Sequence, residues 1–445
     1  MRHSEWTIRR TQLPTSAAPL TERRRARLLV CAILLAAGVV RLGLLAVQSG
    51  NPERAIAPDT STYLYFAKHL WGDMWSRNAG DLQTTLLRTP GYPLLLAALG
   101  RQTSLVIIAQ IVMSLVLVVV VYGLSRSLIG EPGALIAASI VGLEPLGITY
   151  DFLLLSEVLF VLSFTVGVAF WLKALQIRSL RWLATAGTAL GTATLVRPVS
   201  LYLIVVLVPI AALFVRKRAL VASLVLFVAF ALPVGTWIAR NAILTGHLVF
   251  STVGADNLAN YRGAYAIATE DRTSVARARQ EIAAHVTASD AATRAEQQTA
   301  AGIAALRSHP KGWFEETILG AAKLLLGGPS RSDWQVILGI DTPAITLLGY
   351  VISGAILAAA VTGGILALRD RQSELLAAIG VVVYIVAVSS GGESYSRMRL
   401  PVEPLLAILA AYAGVRIRLT GSGVRHRQRM LAEDSRTQPS TSMKR

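Results

Sequence analysis

Residues 28–47 read LLVCAILLAAGVVRLGLLAV, twenty residues in which apolar side chains predominate. A helix crossing the hydrocarbon of a bilayer needs roughly 20 such residues, so this stretch predicts a membrane span. The polar region ahead of it is too long for a cleavable leader, and an uncleaved first helix is expected. Further apolar runs at 103–125, 133–149, 153–172, 182–196, 199–215, 219–239, 344–368, 374–390 and 400–415 bring the expected total to about ten spans. Hydrophobic residues make up 53% of the 445 and charged residues only 16%, a balance that excludes a soluble chain. The expected fold class is an all-α polytopic membrane protein of about ten transmembrane helices. Surface helices in the first outer loop and a small helical extracytoplasmic subdomain complete it.

Charge placement orients the spans. The net charge is +17, and much of it lies in the tails 1–27 and 417–445. Positive residues favour the cytoplasmic side, so both tails are expected there, in a cell (inner or plasma) membrane, with an even number of crossings. Arg126, then Lys173 with Arg178 and Arg181, then Arg216 to Arg218, and Arg369 with Arg371 fall on the same side. Because these charges border spans and lack interleaved aromatic residues, they argue against nucleic-acid binding. Cys31 is the single cysteine, which excludes a disulfide framework and a thiolate metal site.

Between the tails, 28–239 reads as a transmembrane module that includes a first outer loop, 48–92. Residues 240–343 form a second outer segment and 344–416 the last spans. In the first loop Tyr63, Phe66, Ala67 and Leu70 recur at helical spacing, predicting a helix along the membrane surface. In the second segment, 247–263 has the pattern of loop or short strand, 270–305 of soluble helix, and 313–326 of an interfacial or re-entrant helix. Gly187 and Gly191 form a GxxxG pair expected to serve close helix packing.

With the spans assigned, ionisable residues gather at one edge. Asp59, Arg88, Glu144, Asp151, Glu157, Arg197, Arg240, Glu393, Arg397 and Arg399 all map to the outer side, and charge near the membrane is costly unless paired or wetted. A cavity opening outward is therefore expected. Competing readings stand beside it: Arg197 and Arg240 as snorkelling cations, and Asp59 as the N-cap of the helix that follows. Both signs of charge suit transfer of a sugar from a lipid phosphate to an alcohol. A carboxylate takes the proton of the attacking hydroxyl, and guanidinium groups stabilise the departing phosphate.

Several segments carry a resemblance: Asp59 with Tyr63, Arg88-Thr89-Pro90-Gly91-Tyr92-Pro93, Leu155-Ser156-Glu157, Leu195-Val196-Arg197-Pro198, Arg240-Asn241, Ser308-His309-Pro310, and Arg397 through Pro404. Taken in order, they resemble the GT-C class of membrane glycosyltransferases, in the bacterial branch related to protein O-mannosyltransferases and the lipid A aminoarabinose transferase. The resemblance implies inverting transfer on the extracytoplasmic face from a polyprenyl-phosphate sugar to a glycan, lipid or protein acceptor, in contact with membrane lipid. It implies Asp59 as general base, Glu157 as the second acidic residue, and Arg88, Arg397, Arg399 and Arg240 as candidates for the donor phosphate. Tyr63, Tyr92, Asp151 and Arg197 are expected to line the cavity. No cofactor and no metal are expected. Relatives that modify proteins often have an Asp-Glu pair where this chain has Asp59-Thr60, a departure that argues against a protein acceptor. Two other readings remain: a polysaccharide polymerase or ligase, for which His247 and His309 would be the late-loop histidines, and a lipid-linked-sugar transporter or flippase.

Overall fold

The computed structural model describes residues 20–340 and 343–418; these are helices and their connections, with no strand among them. The basic tails of the sequence fall largely outside the described residues. In α1 (Leu20–Gln48), Leu28, Leu35, Val39 and Leu42 face outward while Ala37 and Arg41 are buried. An apolar exposed face is what lipid requires of a helix whose backbone groups are satisfied internally.

The first loop folds as α2 (Thr60–Asp73), α3 (Ala79–Leu87) and α4 (Gly91–Ala98). Tyr63, Phe66, Ala67 and Leu70 do form one face of α2, and all four are buried. That face packs on protein, with the Phe66 ring 6.4 Å from that of Trp237, and not along a lipid surface as the pattern suggested. The reason is that the later spans offer it an apolar partner.

Helix α5 (Thr103–Leu143) contains two spans. The chain reverses at Gly130, whose φ of 80° is open to glycine without strain. A Cβ on Gly142 would lie 3.5 Å from Val118, whereas in one straight helix these residues would stand about 36 Å apart. Short α6 (Pro145–Asp151) leads to α7 (Glu157–Ile177), α8 (Leu180–Thr194), α9 (Ile204–Val215) and α10 (Ala219–Thr245). The Gly187/Gly191 pair seats α8 on α10: a Cβ on Gly187 would meet the Leu226 carbonyl oxygen at 2.7 Å, the close approach that GxxxG permits. α10 runs past its expected end at 239, so Arg240 and Asn241 are helical.

The segment expected to lie outside the membrane, called the outer segment below, is α11 (Val253–Asp256), a π-helical turn Asn257–Gly263, α12 (Ala264–Glu270), α13 (Val275–Ala283) and α14 (Ala291–Ser308). Its own core is built from Ala259, Ile267, Ala278, Ile282 and Ala305. The expectation of loop or strand over 247–263 fails from Val253 onward. Gly302 lets α14 press directly on Leu258, a contact from outside any local window, and it holds this segment helical. α15 (Pro310–Leu326) is the expected amphipathic helix, with Trp313, Phe314 and Ile318 exposed and Gly312 and Gly320 turned inward.

The chain continues through α16 (Arg331–Leu338), α17 (Pro343–Arg369), α18 (Ser373–Ser389) and a last apolar stretch, Ser396–Arg418, which opens with the 3-10 turn Ser396–Val402. Among the described residues six stretches are long and apolar enough to cross a membrane, α18 being shorter. One of the six is the reversed α5, and another joins α9 and α10, which pack on each other. The protein is a multi-pass, all-α membrane protein.

Candidate active site

Backbone contacts bring the separate motifs into one place. The Gly91 N–H donates to the Leu195 carbonyl at 2.8 Å, and Thr89 Oγ1 donates to the Val196 carbonyl at 3.1 Å. A Cβ on Gly91 would sit 2.8 Å from the same Leu195 oxygen, so only glycine lets the loop bearing Arg88 dock on the loop bearing Arg197. On the other side, the Leu154 N–H donates to the Ala55 carbonyl at 2.8 Å and Thr60 Oγ1 to the Leu154 carbonyl at 2.9 Å. The start of α2 is thereby fastened to the loop that opens α7.

Five charged side chains meet at this junction. Asp59 Oδ1 accepts from Arg88 Nη2 at 2.8 Å and Asp59 Oδ2 from Arg397 Nη2 at 3.2 Å. Arg397 Nε and Arg197 Nη1 both donate to Glu157 Oε1. Arg397 thus bridges the two carboxylates, with Arg88 and Arg197 at the flanks. Side-chain exposure falls from 35% at Asp59 through 13% at Arg397 to 3% at Glu157, so the cluster opens at Asp59 and is sealed at Glu157.

Aromatic and hydroxyl groups hold these charges in register. Tyr63 lies under Arg88, 4.6 Å from guanidinium carbon to ring centre, and its hydroxyl is 3.1 Å from Ser156 Oγ. Arg88 Nε also donates to Thr62 Oγ1 at 2.9 Å. Arg397 Nη1 donates to the Tyr395 hydroxyl at 3.2 Å and stands 6.0 Å from the Tyr150 ring centre. Tyr150 and Tyr395 were not singled out from sequence, although Tyr395 precedes Arg397 by two positions. Behind the cluster is a hollow of about 40 Å³ lined by Glu144, Tyr150, Asp151, Glu157 and Glu403, large enough for water. Glu157 Oε2 and Glu144 Oε1 are buried and have no hydrogen-bond partner among the described residues.

The capping alternative for Asp59 fails, since its side chain makes no cap bond to α2. Burial opposes ionisation of its carboxyl, but Arg88 and Arg397 outweigh it and hold the group below its ordinary value. Asp59 is therefore an anion throughout the neutral range.

Three expected site residues are placed otherwise, and a fourth, Asp151, lines the hollow while paired elsewhere. Arg240 donates to the Met74 carbonyl at 2.8 Å, Asn241 Oδ1 at 2.9 Å and Thr85 Oγ1 at 3.2 Å, and lies over the Trp237 ring. It ties α10 to the first loop and stands apart from the cluster, neither on a phosphate-facing surface nor snorkelling. Arg399 is buried; it donates to Glu403, to the Leu324, Leu325 and Gly327 carbonyls and to Ser353 Oγ, closing the C-terminal end of α15. Carbonyls at a helix end attract a cation, and that attraction takes Arg399 out of the site. Asp151 lines the hollow but pairs at 2.7 Å with Arg41, which sequence reasoning missed, and Arg41 also reaches Ser114 Oγ and the Gly142 carbonyl. Tyr92 is fully buried beneath Tyr63, edge-on at 5.1 Å, with its hydroxyl donating to Gln110. It supports the site without lining it. His247 and His309 pair with Glu296 and Asp271 in the outer segment. Among the described residues no three His, Cys, Asp or Glu side chains are grouped to hold a metal ion.

Residues 93–237 match the family described as dolichyl-phosphate-mannose-protein mannosyltransferase. No curated protein matches the chain. Among solved structures, the chain is similar to the archaeal oligosaccharyltransferase AglB from Archaeoglobus fulgidus in complex with an inhibitory peptide and a dolichol-phosphate. That match has 12% identity and a TM-score of 0.49, and covers 93% of this chain and 52% of the other. A second structure of the Archaeoglobus fulgidus oligosaccharyltransferase, tethered with an acceptor peptide, matches at 13% identity and a TM-score of 0.47, covering 86% and 49%. The chain spans about half the length of these structures, and at such distances they bear on neither its reaction nor its substrate. The family likeness is thus carried by residues 93–237, less than half of the chain.

Proposed function

We propose that the protein is an inverting glycosyltransferase that moves a sugar from a polyprenyl-phosphate donor to an acceptor hydroxyl at the extracytoplasmic face of the cell membrane. The observation that carries this reading is Arg397, shared between Asp59 and Glu157 and flanked by Arg88 and Arg197. The donor is a phosphodiester with one negative charge; as its bond to the anomeric carbon breaks, the leaving phosphate acquires a second. Guanidinium groups fixed in advance stabilise that extra charge most in the transition state. Arg88 and Arg397 are the two that hold Asp59, at the open end of the cluster.

Asp59 is the general base. The acceptor oxygen attacks the anomeric carbon from the face opposite the phosphate, its proton passes to Asp59, and the phosphate departs with the bonding electrons. In the free protein Asp59 is a weak base because two guanidinium groups hold it ionised. A donor phosphate competes for the same groups, so donor binding frees the carboxylate and raises its basicity when the acceptor needs it. Glu157 is too buried to meet an acceptor; it orients Arg397 and Arg197 from behind.

The test is Asp59→Asn in purified protein, given a polyprenyl-phosphate sugar with labelled sugar. Loss of a positioned base lowers turnover by about 10²- to 10⁴-fold while the helical content and melting temperature stay near those of the parent. Unchanged turnover disposes of the base assignment.

A further inference from the structure

We infer that Tyr261, Arg279 and Glu393 form an acceptor subsite that binds a saccharide, placing one of its hydroxyls beside Asp59. The acceptor role rests on the glycosyltransferase reading above; the saccharide site stands on its own geometry. The π-helical turn Asn257–Gly263 widens the helix locally and re-aims its side chains. Tyr261 follows directly on Asn260, whose carbonyl holds Arg279. Tyr261 takes no part in the core of the outer segment, and its hydroxyl has no hydrogen bond to any described residue.

The neighbours of Tyr261 come from two other elements. Arg279 of α13 lies 5.0 Å from the Tyr261 ring centre and 5.9 Å from that of Tyr265. It is pinned by Nε to the Asn260 carbonyl at 3.0 Å and by Nη2 to Glu393 Oε1 at 2.7 Å. Tyr265 donates its hydroxyl to the same Glu393 oxygen at 2.9 Å. Both bonds fall on Oε1 and leave Oε2 to accept from something else. The loop bearing Glu393 runs on through exposed Tyr395 to Arg397, so the cluster is continuous with the catalytic charges.

Ion pairing alone does not explain this arrangement. The Arg279–Glu393 pair is 37% and 43% exposed, and exposed pairs contribute little to folding. Ordered aromatic rings, a guanidinium and a half-open carboxylate on a loop next to a reaction centre are groups placed for a ligand. Their chemistry fits a sugar ring. The C–H face of a pyranose packs on a tyrosine ring, and neighbouring hydroxyls both donate to a carboxylate and accept from a guanidinium.

The experiment is saturation-transfer NMR on the full-length protein in lipid nanodiscs. The probes are methyl α-mannopyranoside, methyl β-galactopyranoside, maltotriose and a serine- and threonine-containing decapeptide. Saturation is expected on the C–H protons of at least one saccharide. It should fall about fivefold or more in Tyr261→Ala and persist in Tyr261→Phe, which keeps the ring. Glu393→Gln, which keeps the shape and loses the charge, is expected to weaken it as well and serves where Tyr261→Ala does not fold. No saccharide signal in the parent, an equal signal in Tyr261→Ala and Glu393→Gln, or signal from the peptide alone overturns the subsite. Transfer of labelled sugar from a polyprenyl-phosphate donor to the saccharide that gives the signal is measured separately with the parent protein. Its absence alongside Tyr261-dependent saccharide binding refutes the glycosyltransferase reading and leaves the saccharide site standing.

Discussion

Replacing Arg397 by alanine removes both of its ion pairs at once, with different consequences for folding and for turnover. The pair to Asp59 involves a carboxylate that is 35% exposed, and on that side the loss is within about 1 kcal/mol. On the Glu157 side the carboxylate is 3% exposed, and cutting one partner of a buried pair costs about 3–5 kcal/mol. Arg197 still donates to the same Glu157 oxygen, so the lower end of that range is expected. For turnover, loss of one prepositioned donor to a developing charge lowers the rate about 10²- to 10³-fold, or 2.7–4 kcal/mol. The two effects separate in Glu157→Gln combined with Arg397→Ala, which removes the stranded charge. Thermal melting and turnover of a labelled polyprenyl-phosphate sugar are measured for both single variants and the double. Melting should recover in the double variant and turnover should not. If turnover returns to within about threefold of Glu157→Gln alone, Arg397 serves only to neutralise Glu157 and the phosphate role is wrong.

Arg88→Ala removes a cause that lowers the Asp59 value and leaves burial, which raises it, so the acidic limb of kcat/KM moves to higher pH. In the parent the base form persists below the ordinary aspartate value of about 3.9, and an unmoved limb in the variant refutes Asp59 as the titrating base. Gly91→Ala drives a Cβ to 2.8 Å from the Leu195 oxygen; it should cost about 1–3 kcal/mol in melting and lower turnover by parting Arg88 from Arg197. Normal melting and activity in this variant mean that the two loops need not touch. Arg399→Ala strips the end of α15 and should lower the melting temperature while the donor KM of the folded fraction changes less than in Arg88→Ala. An equal or larger rise in donor KM returns Arg399 to the phosphate site.

Much of this protein was determined by sequence alone. Apolar runs long enough to cross a bilayer set the fold class, because hydrocarbon permits few other structures, and the polar motifs put Asp59, Arg88, Glu157, Arg197 and Arg397 at one edge, in one group with Glu144, Asp151, Arg240, Glu393 and Arg399. Which arginines stay in the site was decided only in three dimensions. Arg397 and Arg399 are two positions apart in a 3-10 turn of about three residues per turn, so they point in different directions, one to the carboxylates and the other to the end of α15. Arg240 and Asp151 were likewise claimed by Met74 and Arg41, neighbours distant in sequence. Local pattern reports that a charge stands at the end of a span. Whether it faces a substrate or a backbone carbonyl depends on which distant segment arrives beside it, and tertiary packing alone settles that.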